Sequence, residues 1–427
     1  MTSLRTLRSI DTEKRRSVSE RLAAYVALLV VGLFGLISYG RLQSDARAGA
    51  FGDALNYIAM SERTFAPVDA PFSYRLLTPW LVRHVSALTG VAPDTVWLGL
   101  TFAATTAALF VVYEWLRGPL GVRATTALFA TLLLSVTFYY TSYNYGNFWL
   151  VDPLNNLACA LALYFAFRAR LLMFTAVIAV GFLNKEAILL MAPLYPAIAW
   201  ARSSRLRDRD VLAGAGAVVG LAAAYLAFRA WASAQIGPHG TFLNGDVIAL
   251  ARTVLSSRPG SEQLAVYGVF GFLWVVLAYG LHQQYRRAGL RSELLIASGY
   301  VFAICLLSRL QATDTERVFV MMAPLVVGVA AIVFDSWRGE ARSVWMWVLG
   351  LVYAALNFSW FTGQTATLVS LGTVVAFSYL VHKQAGASAP GEDAEDPRTL
   401  RYRLSRASSG PSLVSGPRSV ENLGHTP

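Results

Sequence analysis

The sequence predicts an all-α, polytopic membrane protein of about twelve transmembrane helices, with amphipathic helices in the first extracytoplasmic loop. Three observations carry this expectation. The chain is 56% hydrophobic with a mean hydropathy of +0.49. Only 14% of its 427 residues are charged, too few to cover a soluble protein of that length. Apolar runs of membrane-spanning length recur from end to end. The net charge of +11 does not signal nucleic acid, and no nucleic-acid partner is expected. Its basic residues gather at the ends of the apolar runs, where they set orientation and meet anionic membrane lipids. Cys159 and Cys305 lie within apolar runs, outside any metal-ligand spacing, and read as small core or lipid-facing residues.

Residues 1–20 are polar and basic, with Arg5, Arg8, Lys14, Arg15 and Arg16, and form a cytoplasmic N-terminus. The following apolar run, Leu22 to Tyr39, exceeds the core of a cleaved signal peptide and reads as a retained first span. A first long outer loop runs from about residue 41 to 94. Within it, Phe51 to His84 mixes Asp53, Asn56, Tyr57, Glu62, Asp69, Tyr74 and Arg75 with apolar and aromatic residues. Helical spacing puts Asp53, Asn56 and Tyr57 on one face. Arg75 is expected to open a second amphipathic helix, with Trp80 and Leu81 against the membrane.

Further spans are expected at Val96 to Trp115, Thr125 to Tyr140, Leu150 to Phe167, Leu171 to Leu183, Ala187 to Trp200 and Val211 to Trp231. A second outer loop occupies about 232–262 and contains His239, Asp246 and Arg252. The remaining spans are expected at Leu264 to Leu281, Leu294 to Leu307, Val318 to Phe334, Val344 to Trp360 and Thr365 to Val381. The transmembrane domain thus covers 21–382, and 383–427 is a Gly/Ser/Pro-rich tail expected to be disordered and cytoplasmic. With the N-terminus inside, the short basic connections at Arg117 and Arg123, Arg168 and Arg170, Arg202 to Arg209, Arg286 to Arg291 and Arg338 to Arg342 all fall inside. The connections bearing Asp53, Tyr139 to Trp149, Asn184-Lys185-Glu186, His239 and Asp314-Glu316-Arg317 then share the outer face.

Several of these outer residues are candidates for chemistry. Asp53 is a general-base candidate, since partial covering at a membrane surface can bring a carboxylate into the working range of a base; a helix cap is the alternative. It is also the candidate contact for a divalent cation such as Mg or Mn. Lys185 and Glu186 interrupt a long apolar run, where ionised groups need partners or a cavity. Neighbours in sequence point apart on a helix, so each is expected to have its own partner: a phosphate for Lys185, and for Glu186, the second catalytic candidate beside Asp53, the acceptor or Arg75. Asp152 precedes Pro153 and reads first as a helix start, with substrate binding as the alternative. Tyr57, Arg75, Glu316 and Arg317 complete the binding candidates, Arg317 through the fork that suits a phosphate; pairing with Asp314 or Glu316 is the plainer alternative. Tyr139, Tyr140, Tyr143, Tyr145 and Trp149 read as an interfacial aromatic belt rather than a sugar-stacking surface.

An Asp in the first outer loop, the segment YRLLTP, the charged break NKEAILLMAP and the late DTERVFVMMAP together resemble integral-membrane glycosyltransferases of the GT-C type and their bacterial relatives, over most of residues 20–380. The resemblance implies a GT-C-like fold in the bacterial inner (cytoplasmic) membrane. It also implies a polyprenyl-phosphate-linked sugar donor, with transfer to an extracytoplasmic lipid, glycan or protein. The first-loop acid of those enzymes, matched by Asp53, acts in catalysis or metal contact. Many of them carry a paired acidic motif there; here Ala54 follows Asp53. The rival classes are a transporter or flippase for a lipid-linked or polar solute, and a non-catalytic assembly protein. Oligomeric state is not legible in the residues.

Overall fold

α-Helices follow one another in the computed structural model, which describes residues 2–39, 52–68, 71–237, 266–309, 315–337, 340–357 and 363–387. Among the described residues there is no strand. The helices are α1 (Thr2–Tyr39), α2 (Asp53–Glu62), α3 (Leu77–Thr89), α4 (Pro93–Arg117), α5 (Ala124–Val136), α6 (Ser142–Gly146), α7 (Asp152–Phe167) and α8 (Leu171–Phe182). After a 3₁₀ segment at Glu186–Met191 come α9 (Leu194–Ser203), α10 (Arg209–Ile236), α11 (Leu273–Ala288), α12 (Glu293–Arg309), α13 (Thr315–Phe319), α14 (Ala323–Ser336), α15 (Glu340–Asn357) and α16 (Gly363–Ala387). Compactness separates residues 1–377 from 378–427. The second unit contributes only 378–387 to the described residues, as the end of α16; the tail expected to be disordered otherwise lies outside them, as does the loop at 238–262.

The chain reads as a membrane protein. Among the described residues, four stretches are long and apolar enough to cross a bilayer: Val18–Tyr39, Pro93–Arg117, Arg209–Ile236 and Glu316–Ser336. The pair α11 and α12, bent by 103°, qualifies jointly as a fifth. Shorter apolar helices lie at Ala124–Val136, Leu171–Phe182, Val344–Asn357 and Leu368–Val381. The expected span Ala187 to Trp200 is not one helix. It is a 3₁₀ segment followed by α9, because Pro193 and Pro196 cannot donate to an unbroken α-helical ladder.

The span beginning at Glu316 is the most interior, with 83% of its apolar window buried. Close approach explains how. A Cβ on Gly328 of α14 would lie 2.6 Å from the Trp115 ring of α4, and one on Gly280 of α11 would collide with Val329. Small residues let helices approach to backbone distance where no aqueous hydrophobic effect drives association. Charge sorts to the two ends of this span. At its C-terminal end Arg123 donates to Asp335 at 2.8 Å. At its N-terminal end sits Arg317.

Candidate active site

Two breaks in the helical pattern create the site. Pro71 opens a 3₁₀ turn, Phe72–Tyr74, before α3, so Arg75 lies outside any α-helix rather than starting one. Between α8 and the second 3₁₀ segment, Lys185 adopts extended backbone (φ −157°, ψ 124°). The two breaks dock on each other. The Leu77 N–H donates to the Leu183 carbonyl at 3.0 Å. Buried Asn184 accepts from the Thr78 hydroxyl and donates to the Val151 carbonyl at 2.8 Å. The first loop is thereby seated on the start of α7.

Six charged side chains and a phenol meet at this seat. Arg317 donates to Asp53 at 3.0 Å and to Asp152 at 2.6 Å. The second oxygen of Asp152 accepts from Lys185 at 2.5 Å. Beside this row, Arg75 grips Glu186 with two nitrogens, at 2.9 and 2.5 Å, and its third donates to the Tyr57 hydroxyl at 2.7 Å. The Arg75 guanidinium also lies 5.3 Å from the Phe72 ring centroid, and Arg317 lies 5.9 Å from that of Tyr143. Asp53 and Tyr57, four residues apart on α2, join the two groups on one side; adjacent Lys185 and Glu186 join them on the other.

Three acids thus balance three bases, so the cluster carries no net formal charge and its ions are paired, as burial at such a depth requires. Exposure is uneven. Asp53 and Glu186 keep 28% and 30% of their side chains accessible, against 9% for Arg75 and 14% for Arg317. Each arginine therefore stands behind an acid that faces outward.

The electrostatics follow from this placement. Burial pushes the Tyr57 phenol up, and the neighbouring Arg75 charge only partly offsets it, so Tyr57 stays protonated. Burial works against the charge on Arg75, but Glu186 and Tyr57 outweigh it and hold its pKa above the ordinary value. Burial likewise opposes the Glu186 charge, and Arg75 overrides it, holding the carboxyl below the usual range. A depressed folded-state pKa adds stability that is complete above the unfolded value of about 4.3 and is lost as pH falls below it. The melting-temperature gap between the native protein and Glu186→Gln is therefore expected to stay constant from pH 8 to 5 and to narrow below about pH 4. A gap that narrows between pH 8 and 6 would contradict the pairing.

The arrangement corrects several expectations. Neither Asp53 nor Asp152 caps its helix: each is the first helical residue, and neither α2 nor α7 has a side-chain cap. Both carboxylates turn to Arg317 because a buried guanidinium competes better than a helix N-terminus. Glu316 makes no hydrogen bond or ion pair with the cluster among the described residues, and Asp314 and His239 lie outside them. Tyr140, Tyr145 and Trp149 are buried, so the aromatic group is largely core rather than surface belt. Cys159 and Cys305 are buried free thiols. Reading the sequence missed the role of Asn184, though an amide inside an apolar run was its signal. It also passed over Arg229, a buried cation in the last third of α10 whose guanidinium lies 3.4 Å from the Tyr74 ring centroid.

A divalent cation does not fit this donor set. Asp53 and Asp152 flank a guanidinium, so a metal ion would have to displace Arg317 to reach both. Among the described residues no three His, Cys, Asp or Glu side chains gather as ligands. A scan against protein-family models and a search of curated proteins each find no match to this chain.

Proposed function

We propose that the chain is a glycosyltransferase of the GT-C type. It would move a sugar from a polyprenyl-phosphate carrier to an extracytoplasmic lipid, glycan or protein. The reading includes about twelve crossings of a bacterial inner membrane and cytoplasmic termini. The observation that carries it is the convergence of Asp53, Arg75, Lys185, Glu186 and Arg317, from stretches up to 264 residues apart, on one partly open cluster.

The pairing suggests how an anionic donor would be accepted. Its phosphate would compete with the two outward acids for Arg317 and Arg75, whose planar forks suit phosphate oxygens. Lys185 would add a flexible point charge. Displaced from Arg317, Asp53 becomes available as a base. It would take the proton of the acceptor hydroxyl as that oxygen attacks the anomeric carbon from the face opposite the phosphate. The bond to the phosphate oxygen breaks with its electron pair, the bases stabilise the leaving anion, and the configuration inverts. Glu186 positions Arg75, and Asp152 positions Arg317 and Lys185.

The test is transfer from a panel of radiolabelled polyprenyl-phosphate hexoses and pentoses into membrane lipid and glycan fractions. Asp53→Asn is expected to lower transfer about a hundredfold while the fold is retained. Unchanged transfer would remove Asp53 as the base. No transfer by the native protein from any donor, with saturable uptake of a lipid-linked solute instead, would favour the transporter class.

A further inference from the structure

The helix α10 supplies none of the six charged side chains of the cluster, yet it touches both segments that make the Arg75–Glu186 pair. Between Val211 and Ile236 it carries one charged residue, Arg229. Most of α10 is exposed, with 17% of its apolar window buried, but Arg229 is only 7% exposed. Its guanidinium stacks on the Tyr74 ring, 3.4 Å from the centroid, and Ser233 one turn on shares a 2.7 Å hydrogen bond with the Tyr74 hydroxyl. The helix thus grips Tyr74 by its ring face and by its hydroxyl. Tyr74 is buried and ends the 3₁₀ turn before Arg75, whose N–H donates to the Phe72 carbonyl at 2.9 Å, so the turn ties the place of one residue to that of the other. The second segment is held from one turn earlier. Tyr225 and Phe228 pack on Phe182 of α8, with ring centroids 5.6 and 6.0 Å apart. Phe182 ends α8, and the Lys185 N–H donates back to the Gly181 carbonyl at 2.9 Å, so this contact anchors the stretch that presents Glu186. Arg229 lies between the two grips, 5.9 Å from the Tyr225 ring centroid.

We propose that Arg229 is a positioning residue of the site: by stacking on Tyr74 it sets the reach of Arg75 onto Glu186. A planar cation is drawn to the face of an aromatic ring and fixes its place, whereas an aliphatic chain of similar length has no such preference. Arg75 needs that accuracy. Its nitrogens engage Glu186 twice and Tyr57 once, and a two-pronged grip tolerates little displacement. A shift of Tyr74 along α10 reaches Arg75 through one peptide unit. Removing the stack therefore loosens the pair without altering either of its members. Where the pair serves a donor phosphate, the proposal rests on the glycosyltransferase reading; the placement of Arg75 on Glu186 does not.

The test is a double-mutant cycle on melting temperature, with the full chain in detergent micelles at neutral pH. Glu186→Gln lowers the melting temperature of the native protein by the worth of the pair. In the Arg229→Met background that gap is expected to shrink to about half, since the pair is already loosened. Arg229→Gln gives the same readout if the first variant fails to fold. Tyr74→Leu, which removes the ring and leaves the cation, is expected to shrink the gap equally, and Arg229→Met to shrink it no further in that background. In the transfer assay Arg229→Met is expected to raise the donor KM about tenfold, and to cost nothing more once Arg75 is replaced by Lys. A full gap in Arg229→Met or in Tyr74→Leu would overturn the proposal: the first makes the stack a local contact, and the second makes the Arg229 charge act without Tyr74. Absence of transfer by the native protein would remove the glycosyltransferase reading alone, and the cycle would still decide what places Arg75.

Discussion

Replacing Arg317 with Met is expected to lower stability by about 3 to 5 kcal/mol, the usual result of leaving a buried ion without its partner. Arg317 bridges Asp53 and Asp152, and its removal takes the guanidinium from both carboxylates, of which Asp152 is 11% exposed. Lys185 still neutralises one oxygen of Asp152, so the protein is expected to fold, with a melting temperature several degrees lower. Adding Asp53→Asn to Arg317→Met should restore part of the loss, because it removes the carboxylate that the first change leaves facing no guanidinium. Transfer is expected to fall about a thousandfold in both variants, since neither retains the fork that would meet the phosphate. Recovery of transfer together with stability would make the cluster structural only.

Arg75→Lys is the second large effect. A lysine offers one ammonium where Arg75 grips Glu186 at two points and Tyr57 at a third. Charge is kept, so the stability loss is expected to be only about 1 kcal/mol, of the order of a single hydrogen bond. Transfer is nonetheless expected to drop about a hundredfold, because the planar fork and the fixed position of Glu186 go together. Arg75→Ala, which also strands Glu186, should cost about 3 kcal/mol and lose transfer to a greater degree. Equal transfer by Arg75→Lys and the native protein would show that the site needs charge at this point and not geometry.

Much of the helical plan was readable from apolar runs. The stretch expected at Val96 to Trp115 lies inside α4, and that at Leu171 to Leu183 differs from α8 by one residue. Hydrophobicity sees such runs because lipid and core impose the same apolar demand. The 3₁₀ segment at Glu186–Met191 was not readable, since its apolar residues satisfy either helix type; only Pro193 and Pro196 hinted at it. Candidate residues could be named because charge is rare in such a chain. Their partners could not, because pairing depends on which helices meet. Asp152 illustrates this. Beside Pro153 it has the local signature of a helix start, and α7 does start there, but its oxygens answer to Lys185 and Arg317, 33 and 165 residues away.

The seating of the first loop fixes an order of assembly. Leu77 and Thr78 find their partners only after residues 183 and 184 have been synthesised. Asp53 finds Arg317 only after 264 residues more of chain. During insertion the loop is therefore seated in two stages, first on residues 183–186, through the bonds of Leu77 and Thr78 and the Arg75–Glu186 pair, and later on Arg317. The first stage includes a backbone-to-backbone bond, indifferent to the side chains of Leu77 and Leu183, so drift at either position leaves it intact unless proline arrives at 77. The second depends on individual charges and completes the cluster only when α13 emerges. A nascent chain can thus hold its loop in place while the chemistry is still unassembled.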